Sequence, residues 1–254
     1  MPLSRPGQGP IARRLRLATQ PRPAGVRGPS LRLWLGEGLR LLPRGRVPFP
    51  IRKAANPGTV MLFPGLAAHS ITMRRLRRAL EQAGHRVEDW GEGLNLGPDE
   101  HNLPRLVARV EALAAESGQP VTLAGWSLGG IFAREIARRA PGSVAGVITM
   151  GSPFSGNRRA NNAWRTYQLI TGHDVDEPPI AGDFAAKPPV PTVALWSPRD
   201  GIVAPRAARG RPGERDRAIA LRCTHFGFAG DDRAIATVLA LMDGRESWNA
   251  RSTA

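Results

Sequence analysis

Cysteine is almost missing: Cys223 is the single one in 254 residues. No intrachain disulfide is available, so the chain must be held by a buried core, and a reducing, cytoplasmic setting is the expectation. At two residues before His225 the thiol reads as small core filler. The five histidines are scattered and none shares zinc-ligand spacing with the cysteine, so neither a metal nor an organic cofactor is implied. Long apolar runs are absent as well. Nothing approaches the roughly 20 residues of a bilayer crossing, and residues 1–30 hold no apolar stretch of secretory type. Acid is scarce at one end: residues 1–58 carry 12 of the 36 basic side chains and one acid, Glu37, for a net +11. The rest of the chain contributes only +4 of the total +15. The body is therefore not strongly basic, no basic run is interleaved with aromatics, and no nucleic-acid partner is expected.

The organisation follows from composition. Residues 1–30, rich in Pro, Gly and Arg, read as a disordered tail. Residues 31–57 read as an amphipathic helix and linker, with Leu31, Trp34, Leu35, Leu39 and Leu42 at helical spacing. That face either docks on the body, the favoured reading, or gives residues 31–46 a peripheral contact with an anionic membrane. Residues 58–245 form the main domain and 246–254 a C-terminal tail. Within the domain, apolar runs at 59–63, 85–88, 121–124, 144–150, 192–196 and 218–221 are separated by helical patterns at about 70–83, 100–117, 129–140 and 231–243. This alternation predicts an α/β fold, a mostly parallel sheet with helices on both faces. The irregular stretch 154–190, which carries Trp164, Tyr167, Leu169 and Ile170, is the expected cap.

The chemistry starts at Gly125-Trp126-Ser127-Leu128-Gly129. A short apolar run ends in this GxSxG and a helical pattern follows, so Ser127 is the expected nucleophile on a sharp strand-to-helix turn. The backbone N–H of Leu128 would then stand at the positive end of the helix, ready for an oxyanion. An ordinary glycine-rich turn is the alternative. Trp126, inside the turn, is expected to line the pocket, or else to pack under the turn.

A serine hydroxyl needs a base, and the base needs a carboxylate. The elbow arrangement supplies them in the order Ser, Asp, His. Thr192–Trp196 runs into Ser197-Pro198-Arg199-Asp200-Gly201, which makes Asp200 the candidate acid. Ala218–Leu221 opens into Arg222-Cys223-Thr224-His225, and His225 is the only histidine after Asp200. His69, His85, His101 and His173 all precede it. Asp174, Asp176 and Asp183, in the Pro-flanked insertion, read as surface or ion-paired groups. A second oxyanion donor is expected at Leu66, where Thr59–Phe63 runs into Pro64-Gly65.

Taken together, Pro64-Gly65-Leu66, the GxSxG at 125–129, Pro198-Arg-Asp200-Gly201 and His225-Phe-Gly227 resemble the α/β-hydrolase superfamily, in particular small bacterial lipase- and esterase-like hydrolases. Met150–Phe154 and the stretches 84–87 and 90–98 are similar to loops of that group. The resemblance spans about 58–245. It implies an α/β-hydrolase fold with a small cap insertion and a serine hydrolase cleaving a carboxylic ester of a small molecule or lipid. Ser127, Asp200 and His225 would be its catalytic residues, with Leu66 and Leu128 as oxyanion donors. The same triad also serves acyltransferases, and the same fold carries non-catalytic membrane-surface or partner-binding proteins.

Overall fold

The structure, a computed structural model, describes residues 9–39, 50–180, 182–244, 246 and 248. Six strands form one sheet: β1 (Thr59–Phe63), β2 (Arg86–Asp89), β3 (Val121–Trp126), β4 (Val144–Met150), β5 (Thr192–Trp196) and β6 (Arg217–Ala220). They lie in the order β2-β1-β3-β4-β5-β6, and every neighbouring pair is parallel. The buried faces explain the sequence pattern. β1 and β3 are buried at every position, so they read as continuous apolar runs and not as alternating ones. The chain steps outward from β1 to β2 and then returns to β3 on the other side. That reversal opens a crevice at the carboxyl ends of β1 and β3, where α/β sheets bind ligands.

Helices cover both faces. On one side lie α3 (Arg74–Ala83) and α8 (Asp232–Met242), packed over Val60, Leu62, Ile148 and Val193. α3 buries Leu76, Ala79, Leu80 and Ala83, the i, i+3, i+4, i+7 stripe of a surface helix, and stops at Gly84 with φ 102°. α8 starts on Asp231, whose carboxylate accepts the Arg233 N–H. On the other side lie α4 (Asn102–Ser117) and α5 (Leu128–Arg139), over Met61, Phe63, Leu123 and Val147. α5 is buried from Gly129 to Ala137 because the segment after β4 folds over it. Arg134 anchors that segment, donating to the carbonyls of Phe184, Ala185, Ala186 and Glu214. The segment carries one helix, α6 (Trp164–Thr171), and a short α7 (Pro205–Arg209) follows β5.

The N-terminal region departs from the expected disordered tail. Pro10–Ala18 forms a helix, α1, which packs on α6 and buries Leu17. Gln168 donates to the Leu17 carbonyl and Arg22 to that of Asn161 at 3.0 Å. Composition missed this because α1 has only one strongly buried side chain, and its contacts lie about 150 residues away along the chain. Leu31–Leu39 forms α2, but the apolar face proposed to dock is turned outward: Leu31, Trp34 and Leu35 are exposed. The buried residue of α2 is instead Glu37. Residues 40–46, including Leu42, lie outside the described residues. At the other end, Trp248 of the expected tail is half-buried against the α8 side of the core and donates to the Leu241 carbonyl at 3.1 Å.

Candidate active site

Ser127 joins β3 to α5 with φ 54° and ψ −121°, a left-handed conformation that a side chain adopts at a cost of about 1–3 kcal/mol. The turn closes by contact. A Cβ on Gly129 would strike the Phe63 and Pro64 carbonyls, and one on Gly125 would strike the Gly129–Gly130 backbone. The hydrogen bond from Ser127 N–H to the Met150 carbonyl, 2.8 Å, ties the turn to β4. Leu128, first residue of α5, carries an N–H with no intrahelical acceptor.

The loop 64–68 approaches Ser127 from β1. Gly65 permits this, since a Cβ there would stand 3.2 Å from both the Ser127 Cβ and the Trp126 ring. The loop is held by Asn95, a fully buried side chain that sequence reasoning did not single out. Its amide donates to the Pro64 carbonyl at 2.7 Å and accepts the Gly97 N–H at 3.0 Å. Its backbone exchanges bonds with Ala67 (2.7 Å) and Ala68 (2.9 Å). The Leu66 N–H takes part in none of these bonds and faces no acceptor among the described residues.

Asp200 and His225 meet at the carboxyl ends of β5 and β6. Asp200 Oδ2 lies 2.9 Å from His225 Nδ1, and both side chains are buried. Asp200 Oδ1 accepts two backbone N–H groups, from Ile202 and Val203, each at 2.8 Å. The carboxylate is thus fixed in orientation by the turn that follows it. No hydrogen bond joins Ser127 Oγ to the His225 ring among the described residues, an arrangement common in sites without substrate. The histidine loop is nonetheless tied to the elbow: Trp126 Nε1 donates to the His225 carbonyl at 3.0 Å, and the two rings stand 5.7 Å apart.

The same bond holds the indole of Trp126 beneath the turn. It packs in the core with Ala124, Met150 and Phe228, is not among the walls of the apolar cavity at Ser127, and lines a second cavity together with Leu66 and Phe226. Periodicity cannot show this, because the residue before the nucleophile sits where strand geometry ends. The remaining sequence candidates also find places. Asp174 and Asp176 pair with Arg159 at 3.1 and 2.8 Å, and Asp183 caps the Ala185 N–H. Cys223 is buried in the core, and burial, then Asp231 and Asp200, push its thiol up to about 12, so it stays protonated.

The cavity beside Ser127 runs under the segment after β4. Leu66, Leu128, Ile131, Ile180 and Phe184 are among its walls, and the surface is overwhelmingly apolar. Arg158 is the charged residue in the wall, but its guanidinium is occupied by the Val175, Asp176 and Gly182 carbonyls and lies 4.4 Å above the Phe184 ring. Tyr167, the only tyrosine in the chain, lines the cavity and buries its hydroxyl near Thr171. Burial raises its pKa to about 12, which keeps it a donor.

No family model matches the chain and no curated protein matches its sequence. Solved structures do. A monoglyceride lipase from Saccharomyces cerevisiae superimposes with TM-score 0.57 at 15% identity, over 79% of this chain and 90% of its own. The chain has the α/β-hydrolase fold. A pyrethroid hydrolase, PytH, is similar over 75% of this chain and 99% of its own (TM-score 0.52, 14% identity). So is a 2-hydroxy-6-oxo-6-phenylhexa-2,4-dienoate hydrolase from Rhodococcus sp. strain RHA1, over 75% and 91% (TM-score 0.54, 14% identity). At such identities the likeness is one of fold, and function has to be argued from the site.

Among the described residues no helix is long and apolar enough to cross a membrane, and no cluster of three potential metal ligands occurs.

Proposed function

We propose that this chain is a serine hydrolase that cleaves a carboxylic ester. Ser127 Oγ attacks the carbonyl carbon while His225 accepts its proton on the ring nitrogen opposite Asp200. Asp200, bonded to Nδ1, fixes the tautomer and stabilises the imidazolium. The N–H groups of Leu66 and Leu128 receive the carbonyl oxygen as it becomes an anion. The intermediate collapses, the alcohol leaves with the proton from His225, and an acyl-Ser127 remains. Water, deprotonated by His225, attacks the acyl carbon and Ser127 departs with the proton.

One observation carries this reading: the buried 2.9 Å Asp200–His225 pair stands at the same sheet edge as a serine held at φ 54° before a helix. A buried carboxylate–imidazole pair and a strained turn both cost stability, and finding them at one edge is what nucleophilic catalysis requires. The apolar cavity supports a hydrophobic acyl or alcohol group in the substrate. The exposed Leu31, Trp34 and Leu35, with Arg32 beside them, support contact of residues 31–46 with an anionic lipid surface where such substrates reside.

The test is covalent labelling with a fluorophosphonate, together with turnover of p-nitrophenyl esters of increasing chain length. Wild type should be labelled at Ser127, and Ser127→Ala should lose labelling and at least about 10⁴ in turnover while keeping its fold. Hydrolysis retained above a few per cent in purified Ser127→Ala protein would sink the assignment.

A further inference from the structure

Glu37 is the one acidic residue among the first 58 and sits 2% exposed in the molecule. A carboxylate buried that deeply is expensive unless donors surround it. Three do, and all are backbone N–H groups. Oε1 accepts from Gly201 at 2.8 Å and from His225 at 2.7 Å, and Oε2 accepts from Phe226 at 3.2 Å. These donors belong to two separate loops, 164 and 188 residues away in sequence. Gly201 directly follows the candidate acid. His225 is the candidate base.

We infer that Glu37 is a positioning residue for the reaction: a carboxylate delivered by α2 that clamps the acid loop to the histidine loop and so sets the Asp200–His225 geometry. The inference rests on the hydrolase reading above but assigns a part that the Ser-Asp-His pattern does not contain. Without the clamp, the loop after β5 and the loop after β6 would still each be anchored to their own strands. Ser197 Oγ would still tie the bases of the two loops through the Cys223 carbonyl at 2.6 Å, but among the described residues the tips would lose the one side chain from outside both loops that bonds them together. The Asp200–His225 bond spans those tips, and its donor direction is set by where the His225 backbone lies.

The fit of α2 shows that this contact is built in. The α2 backbone at Leu33 and Trp34 lies directly on Gly201, where any Cβ would collide with it. Gly36 and Gly38 flank Glu37 and have open space at their Cβ positions, so they are not needed for this approach. The close packing is at Gly201. The N–H groups of His225 and Phe226 are at the start of a 3-10 turn, Phe226–Ala229, and have no helical acceptor of their own. Glu37 supplies it, with charge-assisted bonds that are stronger than neutral ones.

Two variants test the clamp in the full-length protein. Glu37→Gln keeps an oxygen for Gly201 and His225 but turns an NH₂ toward Phe226. Glu37→Ala removes all three bonds. Both are assayed at a temperature where circular dichroism shows the fold intact; if the alanine variant does not fold, the glutamine variant decides.

The expected result is a fall in kcat of about tenfold for Gln and about 10²-fold for Ala, the scale of a small misplacement of reacting groups, with KM within about threefold. The rate of fluorophosphonate labelling at Ser127 should fall in parallel. The far-downfield proton resonance of His225 Nδ1–H should shift or vanish in both variants, a readout that needs no ester and no turnover. A folded Glu37→Gln protein with wild-type kcat, labelling rate and Nδ1–H resonance would overturn the inference. Failure of the wild type itself to be labelled would instead remove the hydrolase reading, and the resonance would still report on the clamp.

Discussion

Asp200→Asn offers the sharpest test of the site, because the structure dictates which way the new amide must point. Oδ1 of Asp200 accepts two backbone N–H groups at 2.8 Å. An asparagine must place its oxygen there, since an NH₂ in that position would face two donors. Its NH₂ then faces His225 Nδ1, where the carboxylate oxygen now stands at 2.9 Å. Nδ1 has to become an acceptor, so the ring proton moves to the other nitrogen, the one that must take the proton of Ser127. The side chain keeps its volume and both backbone bonds, and its bond to the ring is reversed. The base is lost to the wrong tautomer, and the expected loss in kcat/KM is about 10²–10⁴, or roughly 3–5.5 kcal/mol of barrier.

The assay is turnover of a short-chain p-nitrophenyl ester, with a thermal melt to show that the fold is kept. Asp174→Asn and Asp176→Asn serve as controls. Each loses an ion pair to Arg159 on the segment over the cavity, Asp174→Asn together with the bond that Oδ2 accepts from Gln20, and both should stay within a few-fold of wild type. If Asp200→Asn is mild while either control is crippling, the acid has been misplaced and the tautomer reasoning fails.

Two further outcomes concern stability. Deleting residues 1–30 removes α1 and the burial of Leu17 on α6, worth about 2–3 kcal/mol with its hydrogen bonds, so the melting temperature should fall by about 5–10 °C. Extending the deletion through Leu42 should also lower kcat by about 10²-fold or more through loss of Glu37, and abolish binding to anionic liposomes through loss of Trp34. An unchanged melt for the first deletion refutes the brace. The pH dependence has a defined sign. His85 and His173 are both depressed below their ordinary 6.5 mainly by burial, though Asp243 pulls His85 upward. Their contribution is complete above pH 6.5 and lost as pH falls through the lower folded values, because the unfolded chain takes up protons first. Urea melts should show stability flat above about pH 7 and declining below 6.5, and His85→Asn, whose amide oxygen can accept from Gly58 N–H as Nδ1 does at 3.1 Å, should flatten that decline. An identical slope in the variant would refute the assignment to His85.

What could be read in advance and what could not divides along contact range. The elbow is local: two glycines, a serine and a helix start within five residues, each required by sterics that the sequence states directly. The inner strands β1 and β3 were visible for the same reason, since a parallel strand buried on both faces has to be an unbroken apolar run, whereas the edge strands β2 and β6 are only partly buried and carry charged residues. Asp200 was picked out by its place just after an apolar run, and His225 as the histidine that follows it in chain order. Trp126 was ambiguous because at the strand's end neither period says which side the ring takes. Asn95 lay in a loop noted only for its likeness to other loops, and a buried amide satisfying loop backbone has no periodic signature. Glu37 did leave a mark, as the lone acid among 12 bases, but a count cannot say what the acid bonds.

By itself, then, the sequence determined the alternation of strands and helices, the strained turn at Ser127, and the order in which Ser127, Asp200 and His225 reach the sheet edge, because each depends on neighbours within a few residues. Only the tertiary structure decided that α1 braces α6, that α2 turns its leucines outward and its glutamate inward, and that one carboxylate gathers the N–H groups of two loops. Those outcomes depend on which backbone donors are left without partners after the sheet has assembled, and that is a property of the packed chain, fixed by contacts more than 100 residues apart.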